Sequence, residues 1–309
     1  MALYAPRCES HHGVMTDTSS LDVPTATAMA FSKLFVVSDG EAPAAGVLDA
    51  VKRLSVRGTL PVEILTVDSP GMPSARAHED MQRLCERIGL RTRITVLHSN
   101  AVPEAVEDRV GSWMRREAGH GKYPRPLLCL ATHARGPILG IVLGSVSETI
   151  VRMTRYPMLL IGPRARAITT FSERLLVGVD ATQESDGILD IAQSWVRSFG
   201  GTVHLFCVNG PGEDDRVSRR HLRAAREWLE QRDIMCQTEL FEASSVPGAI
   251  LETAKRFGIS AIVMTTRGSS PIRRLQVGST ALEVLAGAAR PVLLLNPHGF
   301  RTVVTSAGL

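Results

Sequence analysis

The sequence predicts an α/β protein in which one doubly wound parallel domain occurs twice. Three observations carry this. The chain has 309 residues, room for about two domains of ordinary size. Short runs rich in Val, Ile and Leu alternate with longer polar stretches of helical spacing, the pattern of strands buried on both faces with helices between them. That order of segments runs twice, with a period of about 140 residues.

In the first copy the expected strands are residues 34–38, 62–67, 92–97, 127–131 and 158–161; in the second they are 175–179, 203–208, 237–241, 261–265 and 292–295. Several are apolar throughout, as a parallel strand covered by helices on both sides requires. Helical spacing is plain at 219–231, where Leu222, Ala225, Trp228 and Leu229 recur three and four apart. Single positions match in order across the copies: Asp39 with Asp180, Val67 with Val208, Val102-Pro103 with Val246-Pro247, Gly144-Ser145 with Gly278-Ser279, and Tyr156-Pro157 with Arg290-Pro291. The division that follows is a polar tail over 1–30, a first domain over 31–162, a linker over 163–173, a second domain over 174–297 and a tail over 298–309. Met15 is an alternative start. The first copy carries extra residues at 119–126, a Gly, Pro and basic stretch that reads as a longer surface loop.

Composition limits the functions. Hydrophobic content of 44%, charged content of 21% and aromatic content of 5% fit a soluble aliphatic α/β core. A net charge of +4 is spread along the chain, so no nucleic-acid stripe is expected and the charge serves solubility. Five cysteines stand far apart without a C-x-x-C pair, which points to free thiols in a reducing, cytoplasmic setting. No apolar run is long enough for a membrane span. Cys8, His11 and His12 have no second ligand group at a fixed spacing, so no metal site is expected.

Ligands of open parallel sheets sit beyond the carboxyl ends of the strands, where strand order reverses. After strand four the first copy reads Ala131, Ala134, then Gly144-Ser145-Val146, and the second reads Thr265, Gly268, then Gly278-Ser279-Thr280, with the same spacing. On these residues, and over most of 31–297, the chain resembles the universal stress protein family, which carries two glycines and a closing Gly-(Ser/Thr) at this spacing. Glycine there lets backbone approach phosphate and ribose, and the closing pair opens a helix whose free N–H groups attract an anion. The resemblance implies a strand order 3-2-1-4-5 in each domain, with helices on both faces, and ATP as the ligand. It implies a strand-one aspartate holding the nucleoside and a strand-two end beside the base.

The expected nucleotide residues are therefore Asp180, Val208, Thr265, Gly268, Gly278, Ser279 and Thr280 in the second copy. Their counterparts Asp39, Val67, Ala131, Ala134, Gly144, Ser145 and Val146 form a degenerate first site. There both leading glycines are alanines, whose methyl groups crowd a phosphate. No G-x-G-x-x-G follows the first strands and no P-loop occurs. A triad of Ser145, His133 and Asp39 lacks the G-x-S-x-G elbow of a hydrolase, and Arg135, Arg267, Arg273 and Arg274 read as solvated loop residues. The function implied is a stress-response regulatory module gated by ATP, without dedicated catalysis. The alternatives are a protein-interaction module that binds no nucleotide and a slow ATP hydrolase. The fifth strands, 158–161 and 292–295, are wholly apolar and, by the family's strand order, at sheet edges. An apolar edge needs cover, and the resemblance implies that each covers the other, with Leu160 and Leu294 near the centre of an intramolecular pseudo-dimer. Further self-association stays open.

Overall fold

The computed structural model describes residues 29–38, 45–67, 74–97, 101–132, 149–151, 154–162, 164–165, 174–180, 186–266 and 278–296. Its first five strands are β1 (Lys33–Ser38), β2 (Val62–Val67), β3 (Arg93–Leu97), β4 (Pro126–Ala131) and β5 (Met158–Ile161). The next five are β6 (Arg174–Gly178), β7 (Thr202–Asn209), β8 (Cys236–Glu242), β9 (Ala261–Thr265) and β10 (Val292–Leu295). Between them lie α1 (Ala45–Gly58), α2 (Ser74–Ile88), α3 (Val102–Ala118), α4 (Asp186–Phe199), α5 (Arg216–Glu230), α6 (Val246–Arg256) and α7 (Ser279–Gly287).

All ten strands form one sheet in the order β3-β2-β1-β4-β5-β10-β9-β6-β7-β8. Read outward from its centre, each half has the order 5-4-1-2-3, so the doubly wound pattern occurs twice. Pairing is parallel everywhere except at the centre, where β5 and β10 run antiparallel with Leu160 opposite Val292, Leu159 opposite Leu293 and Met158 opposite Leu294. All six side chains are fully buried.

The strands alternate between two apolar layers. On one face Leu34 and Val36 meet Val47, Leu48, Val51 and Leu54 of α1, and Leu175 and Val177 meet Ile188, Ile191 and Trp195 of α4. On the other, Phe35 and Val37 meet Val106, Val110 and Trp113 of α3, and Leu176 and Phe206 meet Ile250 of α6 and Val284 and Leu285 of α7. Both layers are continuous across the β5/β10 seam. The two Val-Pro dipeptides open α3 and α6, where a proline in the first turn loses no hydrogen bond. Ser245 caps α6 by accepting from the Gly248 N–H at 3.2 Å. Along α5, Leu222, Ala225 and Leu229 are buried, while Trp228 is half-buried beneath the Arg232 guanidinium, 3.7 Å from its ring centre.

Three features depart from the sequence expectations. Pro126, read as loop, is the first residue of β4, opposite Lys33. Met29, read as tail, accepts a hydrogen bond from the half-buried Arg125 on its sulfur at 3.1 Å. The halves also meet away from the seam. Arg125 donates to Ser194 Oγ at 2.9 Å, the Phe31 N–H donates to Ser198 Oγ at 2.7 Å, Arg57 donates to the Phe199 carbonyl, and Phe31 stacks on Phe199.

Candidate functional site

The carboxyl ends of β9, β6 and β7 lie side by side, because β6 pairs with β9 on one side and β7 on the other. The helix that follows β6, α4, packs in one apolar layer, and the helix that follows β9, α7, packs in the other. The chain therefore leaves two neighbouring strands in opposite directions, which opens a crevice between their ends.

Asp180 stands two residues beyond β6, half-buried. The last turn of pairing holds it level with the end of β7, since Gly178 is opposite Phe206 and the Val179 N–H donates to the Phe206 carbonyl at 2.8 Å. Val208 is half-buried one residue from the end of β7. Thr265 ends β9 opposite Leu295. Thr266, almost fully buried, donates its N–H to the Leu295 carbonyl at 2.8 Å and accepts at its own carbonyl from the Gly278 N–H at 2.7 Å. That last bond returns the chain to the end of β9 and fixes the start of α7 there. Gly278 is the N-cap of α7 with φ −62° and ψ 147°, and as a glycine it has no side chain to cap the helix. Ser279 is exposed and Thr280 half-buried in its first turn. An uncapped first turn offers N–H groups and the positive end of the helix dipole to an anion. Asp180, Val208, Thr265, Gly278, Ser279 and Thr280 thus share the carboxyl edge of the sheet; Gly268 lies outside the described residues.

In the first half, Val67 ends β2 opposite Leu97, and Ala131 ends β4 opposite Ile161. Thr132 repeats the arrangement of Thr266, donating its N–H to the Ile161 carbonyl at 3.0 Å. Asp39, His133, Ala134, Gly144, Ser145 and Val146 lie outside the described residues, as do Arg135, Arg267, Arg273 and Arg274.

Two polar residues at this edge escaped the sequence reading. Asn209, 7% exposed, ends β7, and its Oδ1 accepts from Ser218 Oγ at 2.7 Å. Cys207, two residues earlier, is buried. Burial pushes its thiol pKa up and the nearby Asp180 carboxylate adds to the rise, against a hydrogen bond with Ser218. Asp180, Cys207, Asn209 and Ser218 are therefore neighbours. Nothing in residue type or spacing marks Asn209 or Ser218, because their roles depend on α5 packing over β7. Among the described residues no group of three or more His, Cys, Asp or Glu could hold a metal ion, and no helix is long and apolar enough to cross a membrane. Two surface concavities lie elsewhere, one along α1 at Lys52, Arg53 and Val56 and one near the amino ends of β6, β7 and β8 at Arg174, Thr202 and Gln237.

A comparison with curated proteins finds no match. Among solved structures, a functionally unknown protein from Pseudomonas aeruginosa PAO1 aligns over 92% of this chain and 99% of its own, with a TM-score of 0.61 and 15% identity. A universal stress protein from Archaeoglobus fulgidus DSM 4304 aligns over 86% of this chain and 99% of its own, with a TM-score of 0.59 and 19% identity. A shorter universal stress protein from Archaeoglobus fulgidus, solved in complex with dAMP, covers 41% of this chain and 100% of its own at 21% identity, with a TM-score of 0.35. The first two likenesses establish a shared fold across both halves of the sheet. In sequence, residues 172–296, within the second half, match the model described as the Universal stress protein family.

Proposed function

We propose that the chain is two universal stress protein domains in tandem, acting in the cytoplasm as a stress-response regulatory module that binds ATP in its second domain and has no dedicated catalysis. The single observation that carries the nucleotide reading is the Thr266–Gly278 hydrogen bond of 2.7 Å. It holds the start of α7, whose N-cap is a glycine, beside the ends of β9 and β6, within the segment that matches the family. A triphosphate seated there would meet N–H groups and the positive end of a helix, with Asp180, just beyond the next strand, for the nucleoside. In support of two domains, the strand order of the first half recurs in the second, and the Val-Pro helix starts recur with it. Ala131 and Ala134 stand where the second copy has Thr265 and Gly268, so the first domain serves as a scaffold.

The test is ATP binding by the purified full chain and by Gly268→Val. The chain should bind ATP, and the added side chain should weaken binding at least tenfold, about 1.4 kcal/mol. Steady phosphate release is not expected. Failure of the unmodified chain to bind ATP would leave the interaction-module reading, and equal binding by Gly268→Val would remove this pocket.

A further inference from the structure

Two strands of the sheet have a neighbour on one side only, β3 and β8, and β8 is the longer, with 7 residues against 5. Which of its backbone groups face outward follows from two hydrogen bonds to β7. The Val203 N–H donates to the Met235 carbonyl at 2.9 Å, and the Ala243 N–H donates to the Asn209 carbonyl at 3.0 Å. In a strand the N–H and C=O of one residue point to one side and those of the next residue to the other. Odd-numbered residues from Met235 to Ala243 therefore face β7, while Cys236, Thr238, Leu240 and Glu242 turn their N–H and C=O groups away from it. Among the described residues, none of the backbone hydrogen bonds beyond the ladder reaches these outward groups. An open edge of that length is a template for another strand.

The helix above the edge says what kind of strand. Cys236 and Leu240 pack in the same layer as Leu222, Ala225 and Leu229 of α5, so the outward-turned residues have their side chains on the α5 face. Cys236 Sγ lies 3.9 Å from the Arg226 carbonyl oxygen, and the charges of Glu230 and Arg226 act on its thiol. That side of α5 is thus the one set over β8. Arg219, Arg223, Arg226 and Glu230 recur three and four apart and share it. Because β8 is the last strand, the arginine row borders the open edge.

All three arginines are exposed. Arg219 pairs with Asp215 at 2.6 Å and Arg226 with Glu230 at 2.7 Å, exposed pairs of a kind that add little and can be exchanged for another carboxylate. Arg223 has no acidic partner among the described residues. The β3 edge lacks such a row, since on α2 Arg83 bonds Glu79 and Gln82 bonds Glu86. A second copy is a poor occupant of the β8 edge: antiparallel pairing of β8 with β8 sets both α5 helices on one face, arginine row towards arginine row. Of the acidic residues of β8 itself, Glu239 faces the opposite layer, 3.0 Å from His204 and 3.7 Å from Arg256. Glu242, at the far end, accepts the Gly212 N–H at 3.3 Å. Carboxylates of an added strand therefore belong opposite Cys236, Thr238 and Leu240.

We infer that the outer edge of β8 docks an extended acidic segment of another protein, which joins the sheet as a further strand and sets its carboxylates against Arg219, Arg223 and Arg226. The nucleotide reading is not involved, because the edge lies across β7 from the crevice between β6 and β9.

The probe is an end-blocked peptide of about eight residues in which Glu alternates with Val, the pattern of a strand with one charged face. Its Lys counterpart and two N-methylated forms accompany it, one methylated at every Glu nitrogen and one at every Val nitrogen, so that each loses the N–H groups of one side. Fluorescence anisotropy with the full chain should show binding of the Glu peptide, weakened by added salt, and none of the Lys peptide. One methylated form should bind like the parent and the other about tenfold or more weaker. Arg223→Glu should weaken the parent peptide by a similar factor, and so should Thr238→Pro, which deletes an outward N–H and spares the ladder to β7. Melting curves establish that both variants fold, and if either does not, the methylated peptides carry the comparison alone. No binding of the Glu peptide overturns the proposal, as does equal binding of both methylated forms, which would mean charge attraction without strand addition. Undiminished binding by a folded Arg223→Glu overturns the role of the arginine row, and self-association that displaces the peptide assigns the edge to a second copy instead.

Discussion

Glu63 shows what a single position in an apolar run can conceal. It sits in β2 with no exposure, held by Lys33 at 2.6 Å, Arg109 at 2.5 Å and Thr95 Oγ1 at 2.7 Å. Burial pushes its pKa up, but the hydrogen bonds from Lys33 and Thr95 and the charges of Lys33 and Arg109 together hold it below the usual carboxylate value. A depressed carboxyl pKa contributes stability that is present above the unfolded value and lost as pH falls through the folded one. Glu63→Gln, which strands two largely buried cations, should cost about 3 kcal/mol at pH 7. In urea unfolding, that gap should shrink as pH is lowered beneath the ordinary glutamate range. The second half has His204 at the corresponding place, 3.0 Å from Glu239 and against the Phe257 ring. Burial pushes the imidazole pKa down, only partly opposed by Glu239. A depressed histidine pKa means that the unfolded chain takes up its proton first. Stability should therefore fall as pH drops from about 6.5 through the lower folded value. His204→Phe should flatten that slope, as melting temperatures between pH 5 and 7.5 would reveal.

At the scale of elements the sequence was legible wherever one physical rule acted alone. Runs such as 127–131 and 292–295 became β4 and β10 because a strand covered on both faces has little choice but aliphatic residues. Val-Pro starts and the three-four spacing of α5 were equally direct. Contacts between distant segments were not legible. Arg125 reads as one basic residue of a loop, yet it is half-buried and bonded to Ser194, sixty-nine residues on, and only the packing of the two halves gives it that place. The candidate site was readable in the same uneven way: Asp180, Val208, Thr265 and Gly278 follow from strand ends and spacing, whereas Asn209 and Ser218 come from packing. Gly162, assigned to the domain end by position alone, has a steric reason to be glycine, since a Cβ there would stand 2.5 Å from the Leu285 carbonyl of α7. Gly162→Ala should destabilise by about 1–3 kcal/mol through forced displacement of that helix, measurable as a lower urea midpoint with an unchanged slope.

For the molecule as a whole, the seam decides whether there is one folding unit or two. Each apolar layer crosses from β4 and β5 to β10 and β9 without interruption, and Leu294 is fully buried at the crossing, opposite Met158. Leu294→Lys removes apolar burial and places a charge there, a loss of about 4 kcal/mol or more. It should lower the stability of both halves and uncouple their unfolding. Trp113 reports on the first half and Trp195 on the second. Urea curves followed through each in a Trp228→Phe background, with Trp113→Phe and Trp195→Phe variants to separate the signals, should coincide before the Leu294 substitution and part after it.

The antiparallel pairing of β5 with β10 joins two segments of the same polypeptide. Between separate chains, such a contact is governed by mass action and dissolves on dilution. Here each strand sees the other at an effective concentration set by the intervening chain, whatever the amount of protein in the cell. The ten-stranded sheet is therefore indifferent to abundance: a cell holding few copies has the same assembly as a cell holding many.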